Sequence, residues 1–423
     1  MRVLLVQSYL GGAEPPVFPA ALACLKPALA NHEVMAFDPN IAADPYGELA
    51  AAIRAFQPEA VGLSLRNIDS TNKRVVVFYY QYFKDMLDVI RQETAAPLIV
   101  GGSGFSMFAE TVMEDAGLVD FGVYLEGERT FPALLDNLDA PERVASVFYR
   151  KGGRVRYSGD GLKVAGDDLP EPDFGVLPVT PYLAMPWGVG LETKRGCALS
   201  CVYCPYGFLN GKKYRLKDPK RVADEAETLA ARGARRFTFL DSVFNLPKEH
   251  AAAVCRELAA RKTGLRWSAW FNERELDAPL LDLAVAAGCE NVILSPDAFS
   301  DAALARLGKS IRKADILRAY VLLKDRPELE VSWNFFKNPP GQTFGAFLCM
   351  AAFVIRARLH LGRRAHFEFN SLRVEPHTAL HKIALAEGVA GEGDDLLRPL
   401  YYTQKRTAFI ERLFNAALRL AGK

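Results

Sequence analysis

Three cysteines fall within eight residues, Cys197, Cys201 and Cys204, in the run Lys194-Arg195-Gly196-Cys197-Ala198-Leu199-Ser200-Cys201-Val202-Tyr203-Cys204-Pro205. Thiolates are the ligands of iron–sulfur clusters, and an ordinary electron-transfer cluster takes four of them. Three on one short loop can hold three irons of a [4Fe–4S] cluster and leave the fourth open. An open coordination position is what separates a reactive metal centre from a structural one. Zinc is the competing reading, but its sites pair two Cys-x-x-Cys knuckles or join one knuckle to downstream histidines. Here there is no second knuckle, and the next histidine is the distant His250. The other cysteines, Cys24, Cys255, Cys289 and Cys349, read as small hydrophobes.

The Cys-x-x-x-Cys-x-x-Cys spacing, with an aromatic just before the last cysteine, resembles the radical S-adenosylmethionine (SAM) superfamily. In that superfamily the open iron is chelated by the amino and carboxylate groups of SAM, and the aromatic lies against its adenine. The resemblance implies a [4Fe–4S] cluster on the three cysteines and SAM beside Tyr203.

A chain of 423 residues has room for two or three domains. Half of its residues are hydrophobic and 24% charged, which suits ordinary packed cores. The 52 basic residues barely exceed the 50 acidic ones and form no long basic tract, so nucleic acid lacks its electrostatic footprint as a main partner. The N-terminal run Met1–Tyr9 is too short for a signal peptide and reads as a strand. No stretch of about 18 uncharged apolar residues occurs, so no membrane span is expected. Seven cysteines without secretory context point to the reducing cytoplasm.

The elements that position these residues form two α/β runs. In residues 1–140, strands are predicted at Val3–Val6, Glu33–Phe37, Ala60–Leu65, Leu98–Val100 and Phe121–Tyr124. Helices are predicted near 17–30, 45–56, 73–95, 106–116 and 128–138. Such alternation implies a parallel sheet covered on both faces, which binds ligands beyond the carboxyl ends of its strands. The residues there are Gln7, Ser8, Tyr9 and Gly11-Gly12; Asp38-Pro39-Asn40; Arg66-Asn67-Ile68-Asp69; Gly101-Gly102-Ser103-Gly104; and Glu126-Gly127-Glu128. No Gly-x-Gly-x-x-Gly follows the first strand, which counts against a dinucleotide. The combined set resembles the cobalamin-binding domain found in front of many radical SAM domains, and the alternative is a flavodoxin-like sheet whose glycines only make turns. The Asp-x-His-x-x-Gly that ligates cobalt from below in one cobalamin pattern is missing, and His32 is the only histidine before residue 250. The resemblance then implies cobalamin without a lower protein histidine, with Arg66 and Asn67 the polar groups placed to face it.

Residues 141–189 read as a linker with a hairpin, Val147–Tyr157, and a Pro-rich stretch, Asp167–Asp173. From 190 to 375, strands are predicted at Gly190–Thr193, Arg236–Leu240, Leu265–Phe271, Asn291–Ser295, Glu330–Phe335 and Ala365–Leu372, with helices between them. Six parallel strands closing partway match the partial (βα)6 barrel of radical SAM enzymes, with the cysteine loop after the first strand at the active end. Residues 376–423 form a short extension, with a helix near 406–420 packed on the barrel.

Several segments resemble the cobalamin-dependent branch of the superfamily. Asp241, at the end of the second strand, occupies the place of an acidic residue near the methionine part of SAM. Trp267-Ser268-Ala269-Trp270-Phe271-Asn272-Glu273-Arg274 carries polar groups able to reach SAM, Arg274 among them. Ser295 and Asp297 replace the more frequent Gly-x-Glu-Ser and take the ribose. Lys337–Thr343 and Glu375–Leu380 correspond to further turns of that branch. Trp267, Trp270 and Trp333 line either the substrate cavity or the core, and His377 with His381 reads as a polar helix face rather than a metal pair.

What the resemblance implies is a cobalamin-dependent radical SAM methyltransferase acting on an unactivated carbon of a small metabolite. One electron, from a donor such as flavodoxin or ferredoxin, cleaves SAM to a 5′-deoxyadenosyl radical that abstracts hydrogen. Methylcobalamin then methylates the carbon radical. A cyclisation, rearrangement or oxidation with the same cofactors is the nearer alternative, and a non-catalytic cobalamin or redox sensor the more distant one.

Overall fold

The computed structural model describes residues 1–161, 163–166 and 168–420, the side chains of 417–420 excepted; Asp167 of the predicted linker lies outside them. They fall into two compact units, one of residues 1–70, 75–191 and 227–234, the other of 71–74, 192–226 and 235–423.

The first unit is built on β1 (Arg2–Gln7), α1 (Ala20–Ala28), β2 (Glu33–Phe37), α2 (Pro45–Phe56), β3 (Ala60–Ser64), α3 (Tyr79–Glu93) and β4 (Leu98–Gly101). There follow α4 (Ser103–Met107), α5 (Ala109–Asp115), β5 (Phe121–Val123), α6 (Gly127–Leu135), β6 (Val147–Lys151) and β7 (Arg154–Tyr157). The sheet runs β2-β1-β3-β4-β5-β6-β7, and its first five strands are parallel. Both faces of β1 and β3 are covered, which is why these strands read as unbroken apolar runs. Val3, Leu5, Ala60, Ile99 and Val123 pack with Phe131, Leu134 and Leu135 of α6. The predicted hairpin is not a free linker: β6 pairs antiparallel with the three-residue β5 and closes that edge of the sheet. The helix expected from residue 73 starts at Tyr79, because the Asn72 side chain accepts the Arg74 amide in a turn that competes with helix.

After β8 (Gly190–Leu191), which ends the first unit's residues 75–191, the second unit's sheet runs over β11 (Arg236–Phe239), β12 (Arg266–Phe271), β13 (Cys289–Asp297), β14 (Glu330–Phe336) and β15 (Ala365–Asn370), in the order β15-β14-β13-β12-β11. The pairs from β11 to β15 are parallel. Between strands lie α7 (Tyr206–Leu209), α8 (Pro219–Ala231), α9 (Lys248–Arg261), α10 (Ala278–Ala286), α11 (Asp301–Arg306), α12 (Lys313–Lys324) and α13 (Phe344–Leu361), and α14 (Ala379–Ala386) follows the last parallel strand. The predicted first strand divides after Leu191, and Lys194–Arg195 (β9) pairs instead with Arg215–Leu216 (β10) in a separate antiparallel ribbon. The last strand likewise breaks, Leu372–Arg373 (β16) pairing with Tyr401–Tyr402 (β17). Trp267 and Trp333 are fully buried in the aromatic core and are not cavity walls.

The closing helix α15 (Ala408–Leu420) packs through Phe414 on Phe347 and Phe369 of the barrel. One feature departs from the composition reading. By length and mean hydropathy (1.5), residues 344–364 would suffice to cross a membrane. In the structure α13 buries Ala346, Met350, Phe353, Ala357 and Leu361, the stripe of a barrel helix.

Candidate active site

The cysteine loop is held by backbone at three places. Cys197 donates its amide to the Gly211 carbonyl at 2.9 Å, Val202 to Leu307 at 2.9 Å, and Leu380 to the Val202 carbonyl at 2.7 Å. Gly196 has φ +97° and lies against the 213 carbonyl, which a Cβ there would approach to 2.0 Å, so only glycine permits the turn into Cys197. Burial pushes the Cys201 thiol up and the Cys204 thiol up to about 12. Ionising them calls for a strong positive centre, which is what metal coordination supplies. Among the described residues no three Cys, His, Asp or Glu side chains are gathered tightly enough for a single ion. The thiols are neighbours that feel one another's charge. Three thiols spread along one loop suit a multi-iron cluster, and their soft donor set is that of iron–sulfur chemistry.

Beside the loop lies a buried charged cluster. Lys309 donates to Asp297 Oδ2 and to the Ser295 carbonyl, each at 2.6 Å, and the Tyr203 hydroxyl donates to the same Asp297 oxygen. Burial works against the Lys309 charge, but Asp297, Cys201 and Glu273 together outweigh it and hold the ammonium. Asp297 adopts φ +67°, a strained conformation for a non-glycine residue that recurs at functional sites. Glu273, wholly buried, has an Oε1 without a hydrogen-bond partner, and burial pushes its carboxyl up to about 7. The structure thus brings together Tyr203, Ser295 and Asp297, as the resemblance implied, and adds Lys309. No motif marks Lys309 in the sequence; the turn after α11 delivers it.

Two further residues of the expected site, Asp241 and Arg274, are engaged elsewhere or exposed. Asp241 is saturated: Thr193 donates its amide (2.8 Å) and hydroxyl (2.5 Å), and Lys194 its ammonium (2.9 Å), with both partners of the ion pair fully buried. It clasps the chain entering the cysteine loop, and this clasp is also what diverts residues 193–195 from the main sheet. Arg274 points outward, its side chain 62% exposed, and lines an open polar groove with Lys248, Asp315 and Arg318.

In the first unit, Gln7 and Ser8 are buried at the end of β1, and the Ser8 hydroxyl has no partner. Arg66 is half-buried on the loop after β3, and among the described residues no hydrogen bond or ion pair engages its guanidinium; Asn67 beside it is also half-buried. Ser103 donates to the Arg66 carbonyl at 2.8 Å. Gly102 and Gly104 press on the Leu65–Arg66 backbone, where a Cβ would come within 2.7 and 2.9 Å of the Leu65 carbonyl. These glycines therefore let the turn pack closely on the Arg66 loop, while Gly101 is less crowded. Glu126 is turned away from the strand ends, accepting the Val164 amide at 2.8 Å, and Gly127 and Glu128 open α6. The orphaned Ser8 hydroxyl and the unengaged Arg66 fit a polar, bulky ligand beyond this edge.

The radical SAM superfamily model matches residues 191–345, and the B12 binding domain model matches residues 8–135. An uncharacterised methyltransferase of Pyrococcus horikoshii is 25% identical over 327 residues, covering 74% of this chain and 68% of that protein. The tryptophan 2-C-methyltransferase of Streptomyces laurentii is 26% identical over 348 residues, 67% of this chain and 58% of that protein. Among solved structures, the radical SAM methyltransferase TsrM of Kitasatospora setae, with tryptophan and a SAM analogue bound, superposes with a TM-score of 0.80 at 24% identity. The match covers 98% of this chain and 83% of that one. The fold and site define a radical SAM enzyme with a B12-binding domain in front of its barrel. The chain thus carries a radical SAM domain and a B12-binding domain, which imply a [4Fe–4S] cluster, SAM and cobalamin as its cofactors.

Proposed function

We propose that this chain is a cobalamin-dependent radical SAM C-methyltransferase acting on a small molecule. The observation that carries the proposal is a three-thiol loop with no fourth cysteine, flanked by the Tyr203–Asp297–Lys309 cluster, in a chain that also carries a B12 domain. Cys197, Cys201 and Cys204 hold the cluster. Tyr203, Ser295 and Asp297 receive SAM, with Lys309 fixing Ser295 and Asp297 through its two short bonds and Asp297 in turn holding Tyr203. Gln7, Ser8, Gly101–Gly104 and the Arg66–Asn67 loop would hold cobalamin, which would supply the methyl-transfer chemistry. Arg66 would offer that cofactor hydrogen-bond donors and a positive charge, but no lone pair for a metal. The bound cofactors supply radical and methyl-transfer chemistry, while the protein supplies position, charge and exclusion of water.

The domain division proposed is a cobalamin-binding domain over 1–140, a connector over 141–189, the barrel over 190–375 and a helical extension to 423. Because methyl groups of SAM would pass to product, turnover with methyl-labelled SAM tests the proposal. Label in the product, with one S-adenosylhomocysteine for each product, supports methyl transfer. Turnover that gives 5′-deoxyadenosine and an unmethylated product moves the chain to the cyclase and rearrangement class.

A further inference from the structure

Although the composition shows no long basic tract, the segment that braces the cysteine loop is locally basic. Residues 212–221, Lys212-Lys213-Tyr214-Arg215-Leu216-Lys217-Asp218-Pro219-Lys220-Arg221, hold six cations and one acid, in a chain whose total is +2. The rest of the chain is therefore net acidic. Lys217 is used internally, buried against Glu225 at 2.8 Å. Lys212, Lys213 and Lys220 are exposed, Arg215 and Arg221 half so. None of the three lysines has an acidic partner among the described residues; Lys212 Nζ instead donates to the carbonyl of Leu199, inside the cysteine loop, at 3.0 Å. The 213 carbonyl sits on Gly196, and the Gly211 carbonyl holds the Cys197 amide. Tyr206, two residues past Cys204, is an exposed aromatic on the same loop.

We infer that this strip is the docking surface for an acidic one-electron carrier protein, a reduced flavoprotein or iron–sulfur protein, which delivers its electron to the cluster. The inference rests on the function proposed above. Unpaired surface charge of one sign steers an oppositely charged partner and fixes its orientation more than it adds affinity. An exposed aromatic amid basic residues is the composition interfaces favour. Electron transfer needs the donor's redox centre close to the acceptor, and this segment is bonded directly to the cysteine loop, through the Gly211 carbonyl to the Cys197 amide and through Lys212 to Leu199. In the step, one electron leaves the reduced carrier and enters the cluster; the carrier is oxidised by one, the cluster reduced by one, and no proton or covalent bond moves.

The test uses the reconstituted holoenzyme and a purified acidic bacterial flavodoxin in its hydroquinone state. The double variant Lys213→Glu/Lys220→Glu alters side chains that do not bond the cysteine loop, and Lys212→Gln is examined separately. Binding is followed by titration calorimetry at low and moderate salt, and cluster reduction by EPR with flavodoxin or with dithionite. We expect wild-type binding to weaken with salt and the double variant to bind at least about tenfold more weakly. Its reduction by flavodoxin should slow by a similar factor, with reduction by dithionite unchanged. Unaltered binding in the double variant, or wild-type binding indifferent to salt, would overturn the inference. So would a variant whose only change is a raised KM for substrate with dithionite as reductant. A chain that assembles no cluster would instead refute the function itself, so the two failures are distinguishable.

Discussion

The ligand-facing ends of the two sheets solve different problems. The first unit presents backbone and small polar groups, Ser8, Asn67 and the Gly101–Gly104 turn, with Arg66 as its unengaged charge. Of its buried acids there, Asp38 and Asp69, the first is already bound by the Tyr182 hydroxyl at 2.7 Å. The barrel instead buries whole charges: Lys309 with Asp297, Lys194 with Asp241, and Glu273 without a hydrogen-bond partner on Oε1. A broad macrocycle can be gripped by shape and peptide groups. A small zwitterion that must be cleaved needs fixed charges, placed in advance where water cannot relax around them. Such charges cost stability, so the barrel site is where substitutions should act most strongly.

The largest effect expected is at the cysteines. Anaerobically reconstituted protein should carry about four irons and four sulfides per chain, with SAM altering the EPR signal of the reduced cluster. Alanine at Cys197, Cys201 or Cys204 should abolish both, and alanine at Cys24, Cys255, Cys289 or Cys349 should leave the iron content intact.

Next comes Lys309→Met. It leaves Asp297 buried without its cation, and should cost about 3–5 kcal/mol in urea unfolding. Adding Asp297→Asn should recover most of the loss, a coupling that independent sites would not show.

Glu273→Gln sharpens the contrast through pH. Burial raises the carboxyl above its unfolded value, so its contribution is fully present below about pH 4.5 and is lost as pH rises through about 7. The glutamine variant should therefore be more stable than the parent above pH 7, by on the order of 3 kcal/mol, and nearly equal to it at pH 4.5. Parallel thermal-melt profiles would contradict this.

The smallest expected change in stability, within about 0.5 kcal/mol, is for Arg66→His on the first unit. Its signature is spectroscopic. Wild-type cob(II)alamin should show no nitrogen superhyperfine splitting, whereas the histidine variant should show one axial nitrogen and methylate more slowly.

Much of this contrast was legible in the chain. Runs such as Leu4-Leu5-Val6 and Ala60–Leu65 declare buried parallel strands, and the cysteine spacing with Tyr203 declares the reactive loop. What stayed hidden depends on contacts distant in sequence. Lys309 lies 106 residues from Tyr203 and has no motif around it. Asp241 stands at its expected place at the strand end, yet the structure turns it towards Thr193 and Lys194. Arg274 follows the right strand but emerges on the outer side of its turn. Gly102 and Gly104 read from the sequence as ligand-facing, and nothing in the sequence shows that the crowding they relieve is that of the Leu65–Arg66 backbone. Strand periodicity gives which face a residue takes, not which neighbour claims it.

The most direct test of the central claim follows the methyl group. The reconstituted enzyme, loaded with cobalamin and supplied with SAM bearing a trideuterated methyl group, is incubated anaerobically with candidate small-molecule substrates and analysed by mass spectrometry. The account predicts a product heavier by one trideuteromethyl group in place of hydrogen, matched by S-adenosylhomocysteine and lost when cobalamin is omitted. A converted substrate without the label, accompanied by 5′-deoxyadenosine alone, would contradict it.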